Sequence, residues 1–337
     1  MLKAPATIAI AGVTGAVGQE FCRLLESRPW AGQVRMLASA RSAGKTVHFR
    51  GEPHTIHELS DHALNGCQLA LFSAGSAITR RFAPAAKAAG CVLIDNSSAF
   101  RMDPAVPLVI PEVNPHAAHG QHPIIANPNC STIIMAVPVW PLHQAFIVRR
   151  ILVSTYQAVS GAGWQAMQEL QTQTADVLAG RQPSPQILPH PIAFNVFSHN
   201  TDIGPDGYNI EETKMRKETH KIFANPAIGI SATCIRVPVL RSHAEAITLE
   251  FAQPVTPDQA REVLAAAPGV RLVDNPAKNH FPMPIEASGQ GDILVGRIRS
   301  DTSLPDARGL SLFVCGDQLL KGAALNAVQI ADLLFQH

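Results

Sequence analysis

The fold is decided by the stretch Thr7-Ile8-Ala9-Ile10-Ala11-Gly12-Val13-Thr14-Gly15-Ala16-Val17-Gly18. Its first five residues are an apolar run typical of a buried strand, and a helical pattern follows through Phe21, Leu24 and Leu25. Glycine lets a backbone approach a pyrophosphate, whose charge then faces the N-terminus of the helix. The spacing is G-x-x-G-x-x-G, which an ordinary tight turn also shows, but its place directly after a strand favours dinucleotide binding.

The second strand, Val34–Ser39, bears on the choice of cofactor. It does not end in the Asp or Glu that would bind the ribose 2′-hydroxyl of NAD, and it runs into Ala40-Arg41-Ser42-Ala43-Gly44-Lys45. Because Arg, Ser and Lys at this point suit a 2′-phosphate, the pattern favours NADP. A solvated basic loop is the alternative, since exposed Arg and Lys are common.

Strands continue to alternate with helices in the first part of the chain. The pattern predicts a strand over Leu69–Ala74, a helix over 77–89 and a strand over Val92–Asp95. This alternation predicts a parallel sheet, which binds ligands at the C-terminal ends of its strands. Arg101, in the segment after Asp95, is therefore expected where ligands bind.

The second part of the chain has a different pattern. A β-rich run, Ile151–Val159, precedes a predicted helix over Trp164–Leu178 and a proline-rich excursion from Pro183 to Pro191. Later predicted strands arrive mostly without intervening helices, which indicates a mixed or antiparallel sheet. These strands are Ala232–Val237, Ala246–Phe251 and Ile293–Arg299.

The predicted fold class is α/β, with a Rossmann-type parallel-sheet domain and an α+β domain with a mixed or antiparallel sheet. An amphipathic pattern over Leu319–Leu334 predicts a C-terminal helix that packs back on the nucleotide domain. We therefore expect a nucleotide-binding domain over residues 1–127, completed by 318–337, and a catalytic and dimerisation domain over 128–317.

Composition excludes several classes of protein. The chain has 337 residues, which exceeds what one core usually serves, and its formal charge of +1 gives no field that attracts nucleic acid or an anionic membrane. No apolar run approaches the roughly 20 residues of a membrane span, and the N-terminus lacks a signal pattern, so a cytoplasmic location is expected. The six cysteines show no C-x-x-C spacing, which favours reduced thiols over a disulfide framework.

One cysteine occupies a different kind of position. Asn127-Pro128-Asn129-Cys130-Ser131-Thr132 leads from a loop into an apolar run, which predicts that Cys130 lies at a helix start. Free N–H groups and the helix dipole at such a point lower a thiol pKa, and the thiolate is the nucleophile. The alternative is a buried cysteine that acts as a small hydrophobe. Pro138 and Pro141 predict that this helix kinks or stops after about two turns.

A histidine-rich segment is the one pattern that suggests a metal. His116, His119 and His122 are spaced by three residues, but Pro115, Gly120 and Pro123 surround them and no matching Cys or carboxylate appears. We interpret the segment as a surface turn and predict no metal site.

Seven motifs of the chain together carry a family resemblance. They are Gly12–Gly18, Ser39–Lys45, Asn96–Arg101, Pro128–Thr132, Tyr156–Gly163, Glu211–Lys214, and Arg236 with His243. With these motifs the chain resembles aspartate-β-semialdehyde dehydrogenase over essentially its whole length. The resemblance implies NADP-dependent reductive dephosphorylation of L-aspartyl-4-phosphate to L-aspartate-4-semialdehyde. It also implies a place in the biosynthesis of lysine/diaminopimelate, methionine, threonine and isoleucine, and a homodimer or homotetramer.

The resemblance also implies roles for the catalytic residues. Cys130 would form a thioester, His243 would be the acid/base that takes the thiol proton and later serves the thiohemiacetal oxygen, and Gln157 would orient the substrate. Without the resemblance, His243 would be interpreted as a capped or surface residue and Gln157 as a strand-end amide. Asn129 would lie in the acyl site.

Charged residues divide between the two ends of the implied substrate. Arg236 would hold the α-carboxylate, Glu211 the α-ammonium, and Arg101 and Lys214 the phosphate. Glu211 and Lys214 would otherwise be interpreted as a surface i,i+3 pair on a helix. The cofactor would be bound by Gly12, Thr14, Gly15, Ala16, Val17, Gly18, Ser39, Arg41, Ser42, Ser160, Gly161 and Gln318.

Two other functions stay open at this point. N-acetyl-γ-glutamyl-phosphate reductase shares the nucleotide domain and the thioester chemistry. Its substrate is N-acetylated, however, and so has no free ammonium for Glu211 to bind. A catalytically silent binding protein on the same scaffold is the other alternative.

Overall fold

The first strand lies at the centre of a six-stranded sheet in which every pairing is parallel. The strand order is β5-β2-β1-β6-β7-β8, and a two-stranded antiparallel hairpin, β3-β4, follows β2 in sequence. The strands are β1 (Ala6–Ala11), β2 (Ala31–Ala38), β3 (Thr46–Phe49), β4 (Glu52–Thr55), β5 (His57–Glu58), β6 (Leu69–Phe72), β7 (Val92–Asp95) and β8 (Ile124–Ala126). The predicted parallel sheet is confirmed.

The structure is a computed structural model that describes residues 2–335. It divides into two compact units, one of residues up to Asn129 with those from Ala323 onward, the other of Cys130–Gly322. Met1, Gln336 and His337, which the predicted domain ranges include, lie outside the described residues. None of the helices in the described part of the chain is long and apolar enough to cross a membrane.

Alternate residues of β1 face opposite sides of the parallel sheet and build two cores. Ile8 and Ile10 pack with residues of α1 (Ala16–Leu25) and α8 (Leu325–Phe335), whereas Ala9 and Ala11 pack with residues of α2 (Ser76–Ala88). Because both faces are covered, the central strands β1 and β6 are almost wholly apolar, as in other buried parallel sheets.

The C-terminal helix does not begin where the sequence predicts. A π-helical turn, Leu320–Ala324, precedes α8, so the single helix expected from Leu319 is corrected to two segments. The side chain of Asp317 accepts from the N–H groups of Leu319 and Leu320, and the N–H of Gly322 donates to the Asp317 carbonyl oxygen at 3.0 Å. This bond spans five residues and widens the turn.

The second unit is built on a seven-stranded mixed sheet of order β10-β11-β9-β12-β15-β14-β13. The β9–β11 and β13–β14 pairs are parallel and the others antiparallel, which confirms the predicted mixed sheet. Its strands are β9 (Val148–Gln157), β10 (Phe197–Ser198), β11 (Gly229–Arg236), β12 (His243–Phe251), β13 (Val270–Leu272), β14 (Ile293–Ser300) and β15 (Gly309–Gly316). Its helices are α3 (Cys130–Phe146), α4 (Trp164–Leu178), α5 (Ile210–Ile222), α6 (Pro257–Ala265) and α7 (Pro284–Ala287).

Helix α3 confirms one prediction and contradicts another. It begins at Cys130 as predicted, but it continues through Pro138 and Pro141 to Phe146, so of the predicted kink or stop after about two turns, the stop is wrong. The prolines remove two backbone donors, yet α3 is buried on most of its surface and packs against α5, α6 and the strands β9, β12, β14 and β15. Burial of its apolar side chains, such as Ile134 and Met135, offsets the lost hydrogen bonds.

Candidate active site

In the mixed sheet of the second unit, the strand register places three predicted site residues side by side. Arg236 on β11 pairs with Gln157 on β9, and His243 on β12 pairs with Gly316 on β15. Ala244 pairs with Tyr156, so His243 lies beside Gln157 at the next position of the same ladder. All three side chains of this row are buried on the same face of the sheet.

His243 is fully buried, and its hydrogen bonding defines its tautomer. The backbone N–H of Ala158 donates to Nδ1 of His243 at 2.9 Å, so Nδ1 carries no proton and the neutral ring holds its proton on Nε2. Burial, the main cause, and the nearby Arg236 cation lower the pKa of His243 to about 3, although Glu211 acts in the opposite direction. Nε2 is buried and has no hydrogen-bond partner among the described residues.

Arg236 is held by three acceptors. Its Nη1 donates to the carbonyl oxygen of Ala158 at 2.8 Å, and its Nη2 donates to Nε2 of His199 at 2.9 Å and to Oδ1 of Asn200 at 3.1 Å. Its Nε is buried and has no partner within the described part of the chain. Burial lowers the pKa of Arg236, while the charges of Glu211 and Cys130 raise it. The guanidinium is therefore close enough to the Cys130 sulfur to interact with it electrostatically.

Glu211 lies in the first turn of α5, close to the row on the sheet. Its Oε1 accepts from Nε2 of Gln157 at 3.2 Å, and its Oε2 pairs with Nζ of Lys214 at 3.2 Å. The Glu211 side chain is 4% exposed and that of Lys214 25%, so the pair is not a solvated surface pair. Gln157 in turn accepts from Oγ1 of Thr155 at 3.0 Å, which fixes its amide orientation.

Helix α5 holds Glu211 rigidly. Asn209 caps the helix by accepting from the N–H of Glu212, and the Glu212 carboxylate accepts from the N–H of Asn209, a capping box. The second oxygen of Glu212 accepts from the N–H of Cys234 on β11 at 2.9 Å. Glu212 therefore joins the start of α5 to the strand that carries Arg236.

Cys130 is the first residue of α3 and the most accessible of the six thiols. All six are free, and the other five are buried, whereas Cys130 is half-buried. Burial raises the pKa of each of those five thiols, to about 11 in Cys22 and about 12 in Cys91, which disfavours their thiolates. A Cβ on Gly322 would lie 2.9 Å from the Cβ of Cys130, so the π-helical turn packs directly on the cysteine.

The predicted cofactor residues of the second unit surround His243. A Cβ on Gly161 would lie 3.2 Å from Cε1 of His243 and 3.4 Å from Nη1 of Arg236. Nε2 of Gln318 donates to Oγ of Ser160, and Oε1 of Gln318 accepts from the N–H of Ser242 at 2.8 Å. Gln318 therefore connects the loops on either side of His243, and both ends of its amide are engaged within this unit.

The glycine turn of the first unit fits a dinucleotide. Gly12 has φ of +89°, and a Cβ there would lie 2.3 Å from the carbonyl oxygen of Ser73. A Cβ on Gly18 would lie 2.2 Å from the carbonyl oxygen of Gly12, so α1 and the turn pack backbone to backbone. Gly15 caps α1 without a side-chain hydrogen bond, which leaves the first-turn N–H groups for an anion. Thr14, Ala16 and Val17 belong to this turn and the helix start.

The residues after β2 form a short 3-10 turn, Ala40–Ser42, in place of the loop that the sequence suggests. Ser39 and Arg41 are exposed, and Ser42 is buried. Arg41 is thus a solvent-accessible cation at the C-terminal end of a parallel strand, the position from which a ribose phosphate is bound in this fold.

Arg101 and Asn129 belong to the first unit. Arg101 is buried, and it donates from Nε to the carbonyl oxygen of Asn127 at 2.9 Å and from Nη2 to that of Asn96 at 2.8 Å. Asn129 is also buried and is the residue before Cys130 in the chain. Arg101 therefore lies beyond the C-terminal end of β7, as the sequence predicts.

The histidine-rich segment forms a 3-10 turn at Pro115–Ala118 and the residues after it. His116 and His119 are exposed, and a ring nitrogen of His122 bonds the carbonyl oxygen of His119 at 3.0 Å. Within residues 2–335 the structure contains no group of three or more His, Cys, Asp or Glu side chains that could hold a metal ion.

Four residues of the site were missed in the sequence. Ala158 acts through its backbone, which leaves no side-chain signal. His199, Asn200 and Thr201 form a polar run after a two-residue strand, and a lone histidine in such a run has no distinctive spacing. Only the pairing of β10 with β11 brings this run to Arg236.

Comparison with known families gives two matches that together span most of the chain. A model described as "Semialdehyde dehydrogenase, NAD binding domain" matches residues 7–121. A second, described as "Semialdehyde dehydrogenase, dimerisation domain", matches residues 139–321.

Individual relatives match along nearly the whole length. An aspartate-semialdehyde dehydrogenase of Synechocystis sp. is 54% identical over 336 residues, 99% of either chain. One of Bacillus subtilis is 44% identical over 336 residues, 97% of this chain and 96% of the relative. A crystal structure of aspartate semialdehyde dehydrogenase II complexed with ASA, from Vibrio cholerae, has a TM-score of 0.94 at 41% identity, and the match covers 99% of this chain and 98% of that one.

The tautomer of His243 leads to a testable prediction. Because its pKa is lowered to about 3, the ring should stay neutral between pH 8 and pH 5, whereas a free histidine titrates near pH 6.5. The unfolded chain binds the proton first as the pH falls, so His243 contributes stability that is present above about pH 6.5 and is lost toward pH 3. NMR titration of the imidazole carbons, with N-acetylhistidine amide as the reference, measures this. A midpoint near 6.5 for His243 would contradict the assignment.

Proposed function

The chain belongs to the semialdehyde dehydrogenase family, specifically to its aspartate-semialdehyde dehydrogenases, and we propose how its own residues carry out that reaction. The matches confirm the resemblance that the sequence motifs indicate. The reaction is the reductive dephosphorylation of L-aspartyl-4-phosphate to L-aspartate-4-semialdehyde, a step of amino-acid biosynthesis. It is favoured over N-acetyl-γ-glutamyl phosphate reduction and over a silent binding protein.

One observation carries the assignment of the substrate-binding residues. Arg236 and Glu211 are buried charges of opposite sign in one site, and both contact groups of the β9 end, Ala158 and Gln157. An amino acid presents an α-carboxylate and an α-ammonium one carbon apart. We assign Arg236 to the carboxylate and Glu211 to the ammonium. Lys214 and Arg101 are proposed to bind the phosphate.

Cys130 is the proposed nucleophile. Its sulfur attacks the acyl carbonyl, the bond from that carbon to the phosphate oxygen breaks, and a thioester remains on the enzyme. The positive end of α3 and the field of Arg236 stabilise the thiolate. NADPH, when bound, supplies the hydride that reduces the thioester. The carbon–sulfur bond of the resulting thiohemiacetal then breaks and releases the aldehyde.

His243 is proposed to serve the oxygen of these tetrahedral adducts. Nε2 carries the proton and has no partner among the described residues, so it is available to donate a hydrogen bond to a developing oxyanion. Uptake of the thiol proton, the other half of the predicted acid/base role, requires an Nε2 lone pair. The ring would gain one only as the Nδ1–H tautomer, with loss of the bond from Ala158. Gln157 and Asn129 are proposed to orient the acyl group.

The chain contains an NAD(P)-binding domain, and we propose that the cofactor is NADP. The glycine turn and the uncapped start of α1 fit a pyrophosphate. Arg41 with Ser39 and Ser42 is proposed to hold the 2′-phosphate. Ser160, Gly161 and Gln318 are proposed to bind the nicotinamide end.

The family match includes a dimerisation domain, and a homodimer or homotetramer is proposed. One face of the second sheet supports this, because Tyr156 is 41% exposed and Leu152 is 36% exposed on it. A reducing, cytoplasmic location is proposed from the six free thiols.

The reaction itself is tested by an assay of NADPH formation from aspartate semialdehyde, phosphate and NADP. Cys130→Ser should abolish turnover, because a hydroxyl is a poor nucleophile without a strong base, while NADP binding, measured by calorimetry, stays unchanged. Activity within about tenfold of wild type would remove Cys130 from the mechanism. N-acetylglutamate semialdehyde, assayed in parallel, should give no turnover.

Glu211→Gln tests the substrate class. Loss of the carboxylate charge leaves the α-ammonium with neutral acceptors, at a cost of about 2–5 kcal/mol for a desolvated pair. The kcat/KM for aspartate semialdehyde should fall at least about tenfold, with NADP affinity unchanged. Glu262→Gln, on the exposed face of α6, is the control. Wild-type efficiency in Glu211→Gln would reject the ammonium assignment.

Arg41→Ala tests the cofactor. A charge-assisted bond to the 2′-phosphate is worth about 1.5–3 kcal/mol, so affinity for NADP should fall roughly tenfold or more while that for NAD is unchanged. Arg23→Ala removes an exposed cation of α1 and serves as the control. An equal loss for both cofactors would show that Arg41 has a structural role only.

A further inference from the structure

The segment that follows β10 is fixed against the strand that carries Arg236. Phe197 pairs with Arg236 and Ser198 with Ile235 in an antiparallel ladder. The N–H of His199 then donates to the carbonyl oxygen of Cys234 at 2.8 Å. Backbone pairing thus places the next side chains beside the guanidinium.

Three consecutive side chains of this segment contact the two residues assigned to the α-carboxylate and α-ammonium of the substrate. His199 and Asn200 both accept from Nη2 of Arg236, at 2.9 and 3.1 Å. Oγ1 of Thr201 accepts from the backbone N–H of Glu211 at 3.2 Å. One short segment therefore contacts the guanidinium of Arg236 and the backbone of Glu211.

We propose that His199 is a positioning residue for substrate recognition, which fixes the Arg236 guanidinium so that its remaining N–H groups meet the α-carboxylate. The inference rests on the proposed function, in which Arg236 binds that carboxylate. His199 acts through Arg236 and does not itself contact the reacting atoms.

The chemistry of the contact sets the state of the ring. A guanidinium offers only donors, so Nε2 of His199 must carry a lone pair and the proton must be on Nδ1. Nδ1 faces Oγ1 of Thr201 at 3.4 Å, in accord with that tautomer. Burial lowers the pKa of His199 to about 4, Glu211 raises it, and the Arg236 and Lys214 cations lower it, so the ring is a neutral acceptor at neutral pH.

The geometry explains why an acceptor is needed at this point. Ala158 holds Nη1, and without His199 the buried Nη2 would lose one of its two acceptors. With Ala158 and Asn200 as its remaining acceptors, the guanidinium is held less tightly, and small misplacements of a binding group weaken recognition strongly. Nε, buried and without a partner among the described residues, is one donor that this arrangement reserves for the substrate.

The test compares His199→Leu, His199→Gln, Arg236→Ala and the double variant His199→Leu/Arg236→Ala. Initial rates give KM for aspartate semialdehyde, phosphate and NADP separately, and thermal unfolding verifies the fold. His190→Leu is the matched control, because the exposed His190 contacts Phe197 of β10, with ring centroids 5.3 Å apart, and has no bond to Arg236.

In His199→Leu we expect KM for aspartate semialdehyde to rise about tenfold, with kcat and the other two KM values within about threefold of wild type. The Gln variant, whose amide oxygen replaces the acceptor, should stay within about threefold throughout. In the Arg236→Ala background, His199→Leu should add no further loss, since the two residues act as one unit.

Three results would overturn the inference. An unchanged KM for aspartate semialdehyde in His199→Leu, with a raised KM in Arg236→Ala, rejects His199 and leaves the role of Arg236 intact. Equal rises in all three KM values with a lowered unfolding temperature show a purely structural residue. An unchanged KM in Arg236→Ala rejects both the carboxylate assignment and the inference that rests on it.

Discussion

The site depends on the backbone of one residue, Ala158, which directly follows β9. The N–H of Ala158 donates to His243, and its carbonyl oxygen accepts from Arg236. These two bonds come from the two peptide groups that flank Ala158, and the strands that carry the guanidinium and the imidazole lie on either side of Gln157. A side chain that performed this task would carry rotamer entropy, whereas a peptide at a strand end is fixed by the sheet. The strand register therefore sets the catalytic geometry.

Burial is the second constraint, because it decides which groups carry charge. It keeps His243 and His199 neutral and leaves each of them as a defined donor or acceptor. Glu245 lies on β12 two residues after His243, and burial, aided by the negative charge of Glu211, raises its pKa well above the ordinary value. Burial therefore favours the neutral form of Glu245, which limits the negative charge that it adds to the site beside that of Glu211.

Much of the fold follows from the sequence, since apolar runs and glycine spacing determine β1, β7 and α4 locally. The start of α3 was equally predictable, but its length was not, because the prolines predict a kink or a stop and only tertiary burial explains the continuation. The catalytic roles came from motif resemblance and stay proposals. The supporting contacts of Ala158 and His199 could not be predicted. A backbone hydrogen bond leaves no side-chain pattern in the sequence, and the pairing of β10 with β11 joins residues about 40 positions apart.

The π-helical turn shows why such features resist prediction and still serve function. The sequence from Leu319 onward fits one amphipathic helix. In the structure, however, the carboxylate of Asp317 accepts from the N–H groups of Leu319 and Leu320, and the backbone carbonyl oxygen of Asp317 accepts from the N–H of Gly322. The same carboxylate accepts from Nε of Arg241 at 2.7 Å, two residues before His243. Gly322, inside the π-helical turn, lies directly against the Cβ of Cys130. A single buried aspartate therefore links the backbone beside the nucleophile to the loop that leads into the imidazole, and a wider helical turn is the local cost of that connection.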